Sequence, residues 1–548
     1  MRRSEGMFDL LIVDARIVDG TGAPYFDGDL GVMGDRIAAV GRLSGQLARR
    51  TVVAAGRVLT PGFIDIHSHS DVSYLINPLG ESKVRQGVTL EVAGQCGWSL
   101  APLEGAAVEE IRKELEAEDE VEISWRAMGE YLACVEEARP SVNLAVVAGH
   151  GTIRGSAMGY DDRPPTAEEA GRMRLLLRQA LAEGAFGLST GLIYPPGSYA
   201  TTEEIIDLAR ELVPAGGVYF THMRNEGARL LEAVGEAIRV GAEAGVPVQI
   251  AHHKVGGEKN WGMVKESLRV IEEARARGVD VTCDQYPYTA SSTGLSSIVS
   301  QWAHDGGSEK LLARLRDPDT RRRLAAECVD SQDSWSGWDK LLISSVRSEA
   351  NKKYEGKNLV EIAEERGQDP IDAAFDLLIE EELAVGMVRF GMSEEDVRTV
   401  MQHPWVMVGS DGSALAPYGR LGRGKPHPRN YGTFARVLGR YVREEKVLGL
   451  EMAVRKMTGL PAWRLRLWDR GLLRPGFHAD LVLLDPERVM DRATFTDPHQ
   501  YPDGIDLVVV NGTVTVDGGE HTGARAGRVL RRGAGAQAAG AFPAGAQA

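Results

Sequence analysis

Apolar and polar positions alternate in short bursts through the first 60 residues. "FDLLIVDARIVDGTG", "GDLGVMGDRIAAVG" and "RTVVAAGRVLTPG" each read as β-strand ended by turn residues. The same texture returns near the other end in "LLRPGFHADLVLLDP" and "DLVVVNGTVTVDG". Between these flanks the pattern changes. Short β-branched or apolar runs recur at 62–69, 89–97, 143–150, 185–192, 218–224, 247–254, 280–288 and 405–411. Helical stretches separate most of them, such as "TAEEAGRMRLLLRQALAEG", apolar at three- and four-residue steps. Eight strands with helical spacers predict an α/β chain folded as a (β/α)8, TIM-like barrel. The flanks predict one small β-sandwich domain built from both termini.

The expected boundaries are 1–60 and 467–530 for the two parts of the β-sandwich and 61–466 for the barrel. The seventh and eighth runs stand far apart, with the charged "DSQDSWSGWDK" between them, which predicts an insertion at about 305–350 in the position of a lid. The Gly/Ala/Pro-rich end, 531–548, has almost no apolar bulk and predicts a disordered tail. No short-period repeat marks a solenoid.

Composition narrows the function. With 43% hydrophobic and 26% charged residues, the 548-residue chain is an ordinary globular protein. Its net charge of −15 argues against nucleic acid as a partner. The four cysteines, Cys96, Cys134, Cys283 and Cys328, contain no CxxC and are too few for a disulfide framework; they suit a reducing cytoplasm. The first apolar run is soon broken by Asp14 and Arg16, so neither a secretory signal nor a membrane span is expected.

A barrel of this type builds its active site at the C-terminal ends of its strands. Those ends carry His67 and His69, Cys96, His150, His222, His252 with His253, Tyr286 with Tyr288, and Asp411. Residues two apart on a strand point the same way, so His67 and His69 can hold one metal from one face. A lone HxH is a weak signal, strengthened here by "PGFID" before it. Cys96 alone reads as a buried small hydrophobe, but among histidines at strand ends a thiolate becomes a zinc ligand. His222 and His252 follow the fifth and sixth strands. In "AHHK" only one histidine can face inward: His252 is favoured and His253 is the alternative. Asp411 projects from the last strand, where a carboxylate can take a proton from an activated water and return it to a leaving amine. His150 is placed behind the ligands. His403, His427, His478, His499 and His521 are read as surface or turn residues.

Together these segments resemble the amidohydrolase superfamily and, more narrowly, its N-acyl-D-amino-acid deacylases (D-aminoacylases). The resemblance runs through "PGFIDIHSHSD", "AGQCGWS", "GLIYPPGSYA", "THMRNEG", "AHHKVGG", "YPYTASST", "GSDG" and "HPRNYGTFARVLG". Many superfamily members carry a bridging carboxylated lysine after the fourth strand. Here that strand ends "LSTGLIYPPG", and the resemblance puts Cys96 in the lysine's place. It implies one tightly held Zn²⁺ on Cys96, His222 and His252, and a weaker second site at His67 and His69. It implies Asp411 as general base and acid, and contacts from Lys254, Tyr194, Tyr286, Tyr288 and Arg429 to a small N-acyl amino acid substrate. The implied reaction is hydrolysis of N-acyl-D-amino acids to a carboxylate and a free D-amino acid. Dipeptidase or cyclic amidohydrolase activity, or an inactive scaffold role, are the competing readings. The loop "GSALAPYGRLGRGKP" after Asp411 is longer than in well-known deacylases and borders the expected pocket.

Overall fold

The computed structural model describes residues 7–43, 45–118, 121–330 and 337–533. Eight parallel strands form a (β/α)8 barrel: Phe63–Asp65, Val88–Ala93, Asn143–Val146 continued by Ala148–Gly149, Gly187–Gly191, Val218–His222, Val248–Ile250, Val281–Gln285 and Val406–Val408. The seventh strand pairs with the eighth, and a bridge from Ser68 to Gly412 joins the end of the eighth to the end of the first. Alternation decides what fills the barrel. Ile64, Ile66, Leu90, Val92, Ala145, Val147, Phe186, Val218, Phe220 and Met407 form one buried cluster. Complementary positions, such as Val88, Leu188, Tyr219, Val248 and Val281, pack against the surrounding helices.

The helices carry local start signals. Ala167–Ala182 begins behind Thr166, whose side chain accepts from the Glu169 N–H while Glu169 accepts from the Thr166 N–H. This reciprocal cap satisfies two amide donors that the first turn cannot.

Both termini build one sheet. Strands Phe8–Ile17, Phe26–Met33, Arg36–Gly41, Ala48–Val53 and Val58–Pro61 join Leu481–Leu484, Ile505–Val510, Thr513–Asp517 and Glu520–His521. Phe8–Ile17 pairs in parallel with Ala48–Val53 along its first part and with Val58–Pro61 near its end, so the sheet wraps round its own core of Leu10, Ile12, Leu30, Leu59, Leu481 and Leu507.

Two expectations change. The insertion is wider than 305–350: an antiparallel sheet of Ala290–Gly294, Val385–Phe390 and Leu341–Val346 spans it, with helices over a separate core containing Leu295, Leu311, Leu324, Ile343 and Phe375. "ASSTG" is too polar to announce a strand. Residues 331–336 of the charged stretch lie outside the described residues. At the other end of the chain residues 531–533 are held in place: the Arg531 guanidinium pairs with Glu136, and the Arg532 N–H donates to the Gly184 carbonyl at 3.0 Å. Residues 534–548 lie outside the described residues.

Candidate active site

The strand ends converge. Cys96 Sγ lies 3.4 Å from His67 Nε2 and 3.5 Å from His252 Nε2, and His252 Nε2 lies 2.9 Å from His222 Nδ1. His69 Nε2 is 3.0 Å from Asp411 Oδ1. The donor atoms form two groups, His67, His69, Cys96 and Asp411, and Cys96, His222 and His252, each within 4.8 Å. Cys96 belongs to both, so its sulfur is the donor the two groups share. Imidazole, thiolate and carboxylate at this spacing fit a zinc ion.

Local backbone turns these side chains inward. Cys96, His252 and Asp411 have φ of 55°, 35° and 52°, the left-handed region that side-chain-bearing residues rarely occupy. Such conformations cost on the order of 1–3 kcal/mol each and persist where surrounding contacts hold them. The bend at His252 separates the two histidines of "AHHK". His252 faces the cluster, whereas His253 Nε2 lies 2.8 Å from Ser267 Oγ in the barrel wall. Burial lowers the His253 pKa to about 4.

Charge reinforces the geometry. Burial opposes ionisation of Cys96, but His67 and His252 outweigh it and hold the thiol well below its ordinary pKa. Burial likewise opposes ionisation of Asp411, yet Arg429, then His252 and His69, keep the carboxyl well below its usual range. Burial lowers His69, but Asp411 and Cys96 raise it to about 9.

Beside the cluster, Tyr286 lies between two cations. Its ring centre is 5.6 Å from Lys254 Nζ and 4.9 Å from Arg429 Cζ. Arg429 donates to Asp411 at 2.6 Å and to the Ser292 carbonyl at 3.2 Å, while Lys254 donates to Glu226 at 2.7 Å. The buried Tyr286 hydroxyl has no hydrogen-bond partner among the described residues. Tyr194 sets its ring 5.0 Å from His222, with its hydroxyl 3.0 Å from Thr293 Oγ1. Tyr288 sits apart, against His427 and Arg436. His150 faces Glu204 at 3.0 Å, behind the ligands.

One histidine departs from its expected surface position. His427 is 1% exposed; its Nε2 lies 2.9 Å from the Ala290 carbonyl and its Nδ1 accepts the Arg429 N–H. It therefore braces the start of the segment carrying Arg429. His403, His478, His499 and His521 are half-buried. Two buried acids that face the cluster's histidines, Glu226 and Asp284, were not legible in the sequence. Asp284 had a signal, a charge within an otherwise buried parallel strand. Glu226 had none, because its loop has no period.

A (β/α)8 barrel with paired histidines after its first strand, single histidines after its fifth and sixth, and an aspartate after its eighth defines a metal-dependent amidohydrolase site. The amidohydrolase family model matches residues 50–516, and the chain belongs to that family. Within it, the chain is a member of the N-acyl-D-amino-acid deacylases. It is 40% identical to D-aminoacylase of Alcaligenes xylosoxydans xylosoxydans over 527 residues, covering 96% of this chain and 98% of that protein. A solved D-aminoacylase, studied for its binuclear metal center with one-metal activation and second-metal attenuation, superposes with a TM-score of 0.82 at 40% identity, covering 96% of this chain and all of the other. N-acyl-D-glutamate deacylase from Bordetella bronchiseptica, solved with zinc and a phosphonate mimic of the tetrahedral intermediate, superposes at 0.81 with 36% identity over 96% and 100% of the two chains.

Proposed function

We propose that this enzyme hydrolyses the amide bond of N-acyl-D-amino acids, releasing a carboxylate and a free D-amino acid. The observation that carries the reading is the pair of donor groups sharing Cys96, with Asp411 in one and Lys254, Arg429 and Tyr286 beside them. Cys96, His222 and His252 would hold one Zn²⁺ tightly, and His67 and His69 a weaker second ion. Zinc there supplies Lewis acidity, lowering the pKa of water and polarising a carbonyl.

The protein's own groups do the rest. Asp411, kept ionised by Arg429, takes a proton from the attacking water at Oδ1 and returns it to the departing nitrogen. The Lys254 ammonium, the Arg429 guanidinium and the Tyr286 hydroxyl offer donors to the substrate's α-carboxylate. Tyr194 flanks His222 near the scissile carbonyl. Tyr288 packs against His427 and Arg436 on the same wall, farther from the two cations that flank Tyr286. D-selectivity follows the relatives, and a thiolate ligand suits the reducing cytoplasm.

Chiral analysis of products from racemic N-acetyl methionine, leucine, phenylalanine, glutamate and aspartate tests the reading. Release of the D-amino acid alone is expected. No release from zinc-loaded protein would redirect the assignment to dipeptides or cyclic amides. Asp411→Asn is expected to keep zinc and lose at least about 100-fold in kcat, the usual scale of general acid–base catalysis. Metal analysis beside steady-state rates checks this, and unchanged turnover would remove Asp411 from the role.

A further inference from the structure

Three of the cluster histidines, His252, His222 and His67, turn a second ring nitrogen towards a buried carboxylate. His252 presents Nε2 to the cluster, and its Nδ1 lies 2.9 Å from Glu226 Oε1. His222 presents Nδ1; its Nε2 lies 3.6 Å from Glu226 Oε2, a charge contact beyond hydrogen-bond reach, and makes no hydrogen bond among the described residues, so the direct bond from Glu226 is to His252. One buried carboxylate thus faces the outer nitrogens of both histidines of the three-residue group. His67 is served separately: its Nε2 faces Cys96, and its Nδ1 lies 3.1 Å from Asp284 Oδ1. Asp284 is wholly buried, with Oδ2 accepting from Gln249 at 2.8 Å.

We propose that the outer hydrogen-bonding shell is divided by metal site: Glu226 orients and strengthens the Cys96–His222–His252 site, and Asp284 the His67–His69 site. The proposal rests on the zinc reading above. A histidine that ligates through one nitrogen carries its proton on the other, and an acceptor there fixes the ring and makes the ligating nitrogen more basic. Lys254 Nζ is 2.8 Å from His252 Nδ1, but an ammonium has no lone pair to accept that proton. The acceptor must be Glu226. Its charge also anchors Lys254, so Glu226 is a positioning residue for metal and clamp alike. Asp284 Oδ1 also accepts the His252 N–H at 2.7 Å; an amide oxygen can keep both contacts, so Asp284→Asn withdraws the carboxylate's charge from beside the His67 ring and leaves the backbone of His252 held.

The test uses full-length protein stripped of metal and titrated with Zn²⁺ against a chromophoric chelator. Co²⁺ spectra would report thiolate ligation at Cys96, and melting curves would verify folding. Glu226→Gln is expected to weaken the tight site 10- to 100-fold, the usual effect of losing such a partner. Asp284→Asn is expected to leave that site within about threefold and to weaken the second by the same 10- to 100-fold factor. If Glu226→Gln does not fold, Glu226→Asp, which withdraws the carboxylate by one methylene, is expected to weaken the tight site and spare the second. Wild-type affinity at the tight site in the folded Glu226 variant, or equal weakening of that site by Asp284→Asn, would overturn the division. Failure of wild-type protein to bind zinc would instead overturn the metal reading, and the division with it.

Discussion

Lys456 shows how a single residue can set a pH response. It is 1% exposed, and its ammonium donates to the carbonyls of His403 and Val406, the latter at 2.8 Å. Burial, reinforced by Arg455, lowers its pKa from 10.5 to about 7. The unfolded chain therefore binds more protons than the native one between about pH 7 and 10.5, so this residue makes stability rise with pH across that window. Below it both states are charged and the slope vanishes. Lys456→Met is expected to flatten the rise, and melting temperatures of variant and wild type from pH 7 to 10 check it. The same scale explains Cys96. Its type alone reads as a buried apolar residue; its left-handed backbone and four histidine neighbours instead surround it with groups that favour the thiolate.

At the scale of elements, strand alternation does most of the positioning, and close backbone contact does the rest. The fourth strand ends at Gly191, where a Cβ would stand 2.0 Å from the Cys96 carbonyl oxygen and 3.0 Å from the Tyr194 ring. Nothing at the first contact is flexible, so backbone must move. Gly191→Ala is expected to displace the Cys96 loop, with zinc stoichiometry falling below wild type and a stability loss of roughly 1–3 kcal/mol, typical of overpacking. Metal analysis and a denaturant titration measure both. The polar strand Ala290–Gly294 shows the opposite case. Its Ser292 carbonyl holds Arg429 and its Thr293 hydroxyl meets Tyr194, so an element with little apolar signal borders the site. Thr293→Val is expected to raise KM with little change in metal content. A steady-state comparison with zinc analysis tests this.

At the scale of the whole molecule, the chain's far end staples the barrel. The segment after the last β-domain strand crosses to the third barrel strand, where the Leu144 N–H donates to Arg528 and the Leu530 N–H to Leu144. Gly527 and Arg532 donate to the Pro140 and Gly184 carbonyls, and Asn511 reaches Asn143 at 2.7 Å. Deleting residues 525–548 removes the first four of these bonds. At about 1 kcal/mol net for each, a loss of several kcal/mol is expected, visible as a lower melting temperature. An unchanged melt would show that the crossing segment contributes nothing. The insertion has a separate core yet meets the site at Ser292 and Thr293, so the rim of the pocket is shared between two packing units.

The sequence by itself determined the eight strands, the β-texture at both ends, the histidine, cysteine and aspartate set, and the family. These are local or patterned properties: strand alternation and strand-end position are written within a few residues. Only the tertiary structure decided that His252 and not His253 faces the cluster, that Tyr286 and not Tyr288 lies between the cations, and that His427 is buried. It alone paired His69 with Asp411, 342 residues away, and Asp284 with His67, 217 residues away. Glu226 is the clearest case. Its loop carries no period to read, and its meaning comes from two strands that bring His222 and His252 to either end of one carboxylate. Periodicity records which way a side chain points; what it meets there depends on chain closure over long sequence separations.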